Sequence, residues 1–223
     1  VPDGQYSFYL HSDDRTDIAA MATISTISQP LRGEFIRTAA TAGAVVYQVD
    51  ARLPALIPVF FAGQLSAVRL CAVMALVSGT WSSLTGLPDE PENGEAALPV
   101  SPETEYQRRR YTLTLQNGRS GERVESVLTE ASSRLRGDLL RNLIITGLAL
   151  HTTAPELPRL LASMPVPPTS VSELQALVQQ MAGTADVNRA AAAVPDTPAA
   201  SAAPVSGSDT REIKKNMRRA FGD

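Results

Sequence analysis

Apolar and polar positions alternate at Tyr6, Phe8 and Leu10, a period of two that predicts a short strand over residues 6–11. Ser12, Asp13 and Asp14 then supply acceptor oxygens for a helix start, and the helix they open is expected from about Thr16 to Ile27, stopping before Pro30. A second helix is expected over Gly33 to Thr41. A strand should follow through Val45, Val46, Tyr47 and Val49, because branched and aromatic side chains suit a pleated surface. Pro54 and Pro58 break the next apolar run. Gln64 to Val77 is apolar almost all round, with Arg69 its only charge, which predicts a helix at the centre of a core. Residues 86–105 combine acids, prolines and Asn93-Gly94 and read as a surface loop.

Alternation returns at Tyr111, Leu113 and Leu115, predicting a strand over Arg108 to Gln116 that ends in the turn pair Asn117-Gly118. Val124, Leu128, Ala131, Leu135 and Leu139 recur at helical spacing, so one long helix is expected from Glu122 to Leu150. Thr153 with Glu156, and Ser170 with Glu173, match the capping-box spacing and open helices over 154–163 and 171–182. No internal repeat is legible. The pattern gives a mainly α protein: a single helical core domain over 1–182 with a few short strands. A flexible Pro/Ala/Ser-rich linker follows over 183–208, then a basic amphipathic helix over 209–223. In that terminal helix Ile213, Met217 and Phe221 stand at i, i+4 and i+8, among Lys214, Lys215, Arg218 and Arg219.

Composition narrows the chemistry. Charged residues are 19% and the formal net charge is −3, so any contact with nucleic acid must come from local patches, not from bulk charge. The single cysteine, Cys71, excludes an intrachain disulfide and sits in the most apolar helix, where packing is the expected role. Leu70 to Pro88 is uncharged, but its Ser, Thr and Gly content favours a buried helix and loop over a membrane span. His11 and His151 belong to no catalytic motif, and no nucleotide-binding, thiol or zinc pattern is present. Asp13, Asp14 and Asp17 have the spacing of a metal–diphosphate motif, but fall at a helix start, where the dipole favours acids. Arg136-Gly137-Asp138 spells an adhesion tripeptide inside a helical pattern and is read as chance. The expectation is a non-enzyme with no cofactor, metal or small-molecule substrate.

Positive charge is concentrated at Arg108, Arg109 and Arg110, beside Tyr106 and Tyr111. Guanidinium groups there can neutralise phosphate while an aromatic stacks on a base. On the expected long helix, Arg123, Arg134 and Arg141 fall near one direction, joined by Arg119 if the helix reaches back that far, and form a second candidate phosphate row. The alternative is a solvated face in which Glu130 and Asp138 pair with Arg134. Ile213, Met217 and Phe221 are candidate subunit contacts, too small a face to hold a helix alone.

The tail from Ala190 through Ala193, Pro195, Pro198, Ser201 and Pro204, on a helical body without catalytic machinery, resembles the proline-alanine-serine-rich proteins of polymycoviruses. That resemblance implies a structural viral protein that self-assembles, in a filament or other homo-oligomer, and coats genomic RNA, double-stranded in that family. Its setting would be the virion and the host cytoplasm. The alternative is an interaction adaptor that uses the C-terminal helix as a ligand for another protein.

Overall fold

A computed structural model describes residues 4–80 and 108–192. The expected loop over 86–105, Tyr106, the Pro/Ala/Ser-rich residues past Ala192, and the arm with Ile213, Met217 and Phe221 lie outside the described residues. Val1–Val187 form one compact unit, and a second comprises Asn188–Asp223. Among the described residues the elements are β1 (Gln5–His11), α1 (Arg15–Ser25), α2 (Gln29–Val49), α3 (Leu53–Phe60) and α4 (Ala67–Ser78). They continue with β2 (Arg108–Thr114), α5 (Arg119–Glu130), α6 (Arg136–Thr153), α7 (Leu157–Ser163) and α8 (Val171–Ala192). The protein is mainly helical, as its periodicity predicts, with one two-stranded antiparallel sheet.

The order strand, helix, helix, helix, helix occurs twice. From α1 onward the two halves superimpose in sequence at a spacing of 104 positions. The buried residues of α2 are Ile36 and the run Ala39 to Val46; those of α6 are Leu140 and the run Leu143 to Leu150, the same positions shifted by 104. Leu53-Pro54 opens α3 and Leu157-Pro158 opens α7. Ser66 caps α4 and Ser170 stands in the same place before α8, each accepting the N–H three residues on. Arg32 Nε donates to Ile27 O and Arg136 Nε donates to Ala131 O, closing the turn before the second helix of each half. The expectation of no internal repeat is therefore corrected. The repeat lies in burial and capping, and few residue identities survive to betray it.

α2 and α6 are the centre of the molecule. They cross where Gly43 meets the backbone of Leu143 and Gly147 meets the backbone of Ala39, two contacts related by the same spacing. An added Cβ would fall 2.0 Å from Leu143 O or 2.2 Å from Ala39 O, so neither position has room for a side chain. The ribbon lies over this pair. Phe8 stands opposite Tyr111 at its middle, and the pairing runs from Gln5 with Thr114 to His11 with Arg108. Phe8, Leu10 and Leu113 face inward and are buried, and Phe8 stacks on Tyr111 at 5.2 Å. Gln5, Ser7, Tyr9, His11, Arg108, Arg110, Thr112 and Thr114 take the other face.

Several expectations give way to tertiary packing. Val45, Val46, Tyr47 and Val49 continue α2 and form no strand, because burial against α6 outweighs their β preference. Pro54 and Pro58 do not prevent α3: Pro54 sits in its first turn, where a missing N–H costs nothing, and Pro58 lies near its end. α4 is not central, since Val68 and Leu76 are exposed. The single long helix is two, α5 and α6, broken at Ala131–Leu135. Thr153 caps nothing; it ends α6, and its hydroxyl donates to Leu65 O and Ala149 O. α8 runs past 182 to Ala192, through alanine-rich sequence with high helix propensity.

Candidate nucleic-acid interface

The outer face of the ribbon carries the densest exposed cationic group foreseen from the sequence. Arg108, Arg109 and Arg110 are all exposed. Strand alternation separates them, so Arg108 and Arg110 project outward while Arg109 shares the inner face with Tyr111. The Arg108 guanidinium lies 3.5 Å from the centre of the Tyr9 ring. Arg110 donates through Nε and Nη2 to Ser7 Oγ at 3.2 and 2.9 Å, which uses two of its five N–H donors. Both arginines are thus held across the ribbon by β1 side chains. Arg109 sits 5.3 Å from the Tyr111 ring centre, on its edge of the sheet. Tyr111 is half-buried against Phe8, and burial pushes its phenol up, against the pull of Arg109 and Arg32.

The second candidate row does not assemble. Arg119 and Arg123 share α5, where burial followed by the Arg119 charge lowers the Arg123 pKa. Arg134 falls in the break between α5 and α6, exposed, and the helical spacing that would pair it with Glu130 and Asp138 is lost. Arg141 is turned inward. Its Nε and Nη2 each lie 2.6 Å from Asp17 Oδ1, and its Nη2 lies 3.3 Å from Asp14 Oδ2. Its charge is taken up by protein carboxylates.

Asp17 is the counterpart of this turn. It is fully buried, accepts the His11 backbone N–H at 2.9 Å, and takes the Arg141 guanidinium. Burial pushes its carboxyl above the ordinary value, more than the His11 N–H and Arg141 pull it down. Asp14 caps α1 by accepting the Asp17 N–H at 3.0 Å, as expected for that helix start. Among the described residues no group of three or more His, Cys, Asp or Glu is placed to hold a metal ion.

The repeat sets two clefts at the strand–helix joints in correspondence. The first, about 440 Å³, is lined by His11, Asp13, Asp14, Asp17, Asp138, Arg141 and Asn142. The second, about 290 Å³, has Asn117, Gly118, Gly121, Glu34, Arg37 and Thr38 at the positions equivalent to Asp13, Asp14, Asp17, Asp138, Arg141 and Asn142, with Leu115 and Arg119 beside them. Three acids of the first become Asn117, Gly118 and Gly121 in the second, so the two ends of the ribbon differ in charge. The β2–α5 joint is one residue longer than the β1–α1 joint. Gly118 absorbs the difference at φ +133°, and Gly121 lets Gln116 O approach.

Sequence reading missed Ser7, Tyr9, Gln5 and Thr112 as members of this face, since each looks like an ordinary strand residue until pairing places it beside arginine. It also missed Arg32 and Arg136, which the repeat puts at the amino ends of α2 and α6. The signal available was the 104-residue spacing of Arg32 with Arg136 and of Gly43 with Gly147.

No helix of the described residues is long and apolar enough to cross a membrane. Comparison with curated proteins and with solved structures returns no match. The model of a family described as plasmid stability protein matches residues 4–74 and 109–178, one stretch in each half of the repeat, and the chain belongs to that family.

Proposed function

We propose that the chain is a non-enzymatic DNA-binding protein of plasmid maintenance that lays the outer face of its β-ribbon in the major groove of duplex DNA. The observation that carries this reading is the ribbon itself. It has two strands, one face packed on helices and the other exposed, with Arg108 and Arg110 braced by Tyr9 and Ser7. The major groove of B-form DNA admits a two-stranded ribbon, and strands are an established way of reading it. The family description supplies the reason to take the polyanion as plasmid DNA. The terminal arm with Ile213, Met217 and Phe221 would then serve as a tethered contact to a second protein.

RNA coating is the second reading, favoured by the Pro/Ala/Ser-rich tail. The two separate by groove geometry, because the major groove of an RNA duplex is too deep and narrow for side chains to read. The test is fluorescence anisotropy of the full chain with a labelled 30-base-pair DNA duplex and with the RNA duplex of the same sequence. Salt would be stepped from about 50 to 200 mM. The expected result is tighter binding to DNA, steeply weakened by salt, and weakened again by the double variant Arg108→Ala, Arg110→Ala. Equal or tighter binding to RNA would overturn the DNA reading in favour of RNA coating, and no binding to either would overturn both.

A further inference from the structure

The two-fold frame of the ribbon is not matched by its chemistry. With Phe8 opposite Tyr111 at the centre, the outer-face residues related by the repeat are Gln5 and Arg108, Ser7 and Arg110, Tyr9 and Thr112, His11 and Thr114. No pair is identical. A ribbon built from two copies of one chain shows the same side chains at both ends and reads an inverted repeat, since site symmetry mirrors protein symmetry. Here antiparallel pairing gathers Tyr9, His11, Arg108 and Arg110 at one end and Gln5, Ser7, Thr112 and Thr114 at the other.

These two sets prefer different bases. Arginine pairs two N–H donors with O6 and N7 of guanine, glutamine pairs with N6 and N7 of adenine, and a threonine methyl packs on the thymine methyl. Arg108 is held over the Tyr9 ring, and Arg110 keeps donors beyond the two given to Ser7. Charge behind the ribbon differs in the opposite sense. The cleft next to His11 is lined by Asp13, Asp14, Asp17 and Asp138 with Arg141, and the cleft at the Thr114 end by Arg37 and Arg119 with Glu34. We infer that this chain reads a non-palindromic DNA site, with G·C pairs under Arg108 and Arg110 and A·T pairs under Gln5, Thr112 and Thr114. The phosphate grip is then stronger at the A·T end, where Arg37 and Arg119 stand, so protein orientation on the duplex is fixed.

The inference rests on the ribbon reading of DNA, and one experiment tells their failures apart. The full chain is used to select from DNA duplexes with a random core of about 20 base pairs, two helical turns. The expected product is one motif without dyad symmetry, guanine-rich at one end. Arg110→Gln should erase the preference at that end alone and weaken binding to the selected site by roughly 5- to 150-fold, the usual discrimination of a bidentate contact. Gln5→Arg, at the equivalent of Arg108, should create a new guanine preference at the opposite end. A palindromic motif, or an Arg110→Gln variant altered equally at both ends, would overturn the inference. Retention of duplexes without any motif would also overturn it, leaving non-specific DNA binding in place. No retained duplex would bring down the ribbon reading itself.

Discussion

Thr146 Oγ1 is buried in α6 with no hydrogen-bond partner among the described residues, and the first half has Ala42 at the equivalent place. A buried hydroxyl without a partner costs about 1–3 kcal/mol, so Thr146→Val should stabilise the fold by about 1 kcal/mol. Urea denaturation checks this; a lowered midpoint would mean that the hydroxyl has a partner. At this scale the sequence was legible where a side chain acts on its own backbone neighbourhood. Asp14 before α1, and Ser170 with Glu173 before α8, could be read because their partners lie within four residues; Glu173 accepts from Thr169 N–H at 2.7 Å. Arg141 could not be read, because its partner Asp17 is 124 residues away and nothing local marks its charge as already paired. Thr153 shows the converse error: its spacing to Glu156 was right, but its hydroxyl had a distant carbonyl, Leu65 O, to satisfy.

Elements were legible where the periodic face coincided with the packed face. β1, β2, α1 and the start of α8 follow their patterns closely. α2 did not, because both α2 and α6 are buried over nine positions and a helix buried on most of its circumference loses its 3.6-residue period. What identifies such a pair is its small residues. Gly43 and Gly147 let the two backbones meet, and an alanine at either would drive Cβ into a carbonyl of the partner helix. Alanine improves the helix interior by about 1 kcal/mol, but the overlap with backbone should cost roughly 3 kcal/mol or more. Gly43→Ala and Gly147→Ala should therefore each lower stability strongly, in thermal or urea unfolding. Gly183→Ala, on α8 with open space around its Cβ position, should not. The break between α5 and α6 was hidden for another reason: Leu135 fits the helical stripe but is 58% exposed, at the position equivalent to Leu31, which is 57% exposed.

At the scale of the molecule, the pair Asp17–Arg141 ties the first helix of one half to the central helix of the other. Because burial raises the Asp17 pKa, the folded chain holds this proton more tightly than the unfolded chain does. Stability from this group is full below the ordinary carboxylate value of about 4 and is lost as pH rises through the raised value. Urea midpoints measured upward from that pH should fall in this window, and Asp17→Asn should flatten the dependence. If the wild-type and Asp17→Asn curves run parallel, another group sets the slope.

Two strand-and-helix halves that complete each other's core and ribbon are carried on one covalent chain. When such halves are separate molecules, the folded fraction falls with dilution, because association is second order in protein. On one chain the partner is always present at a fixed effective concentration, so ribbon formation is unimolecular. The ribbon is then as complete at a handful of molecules per cell as at thousands.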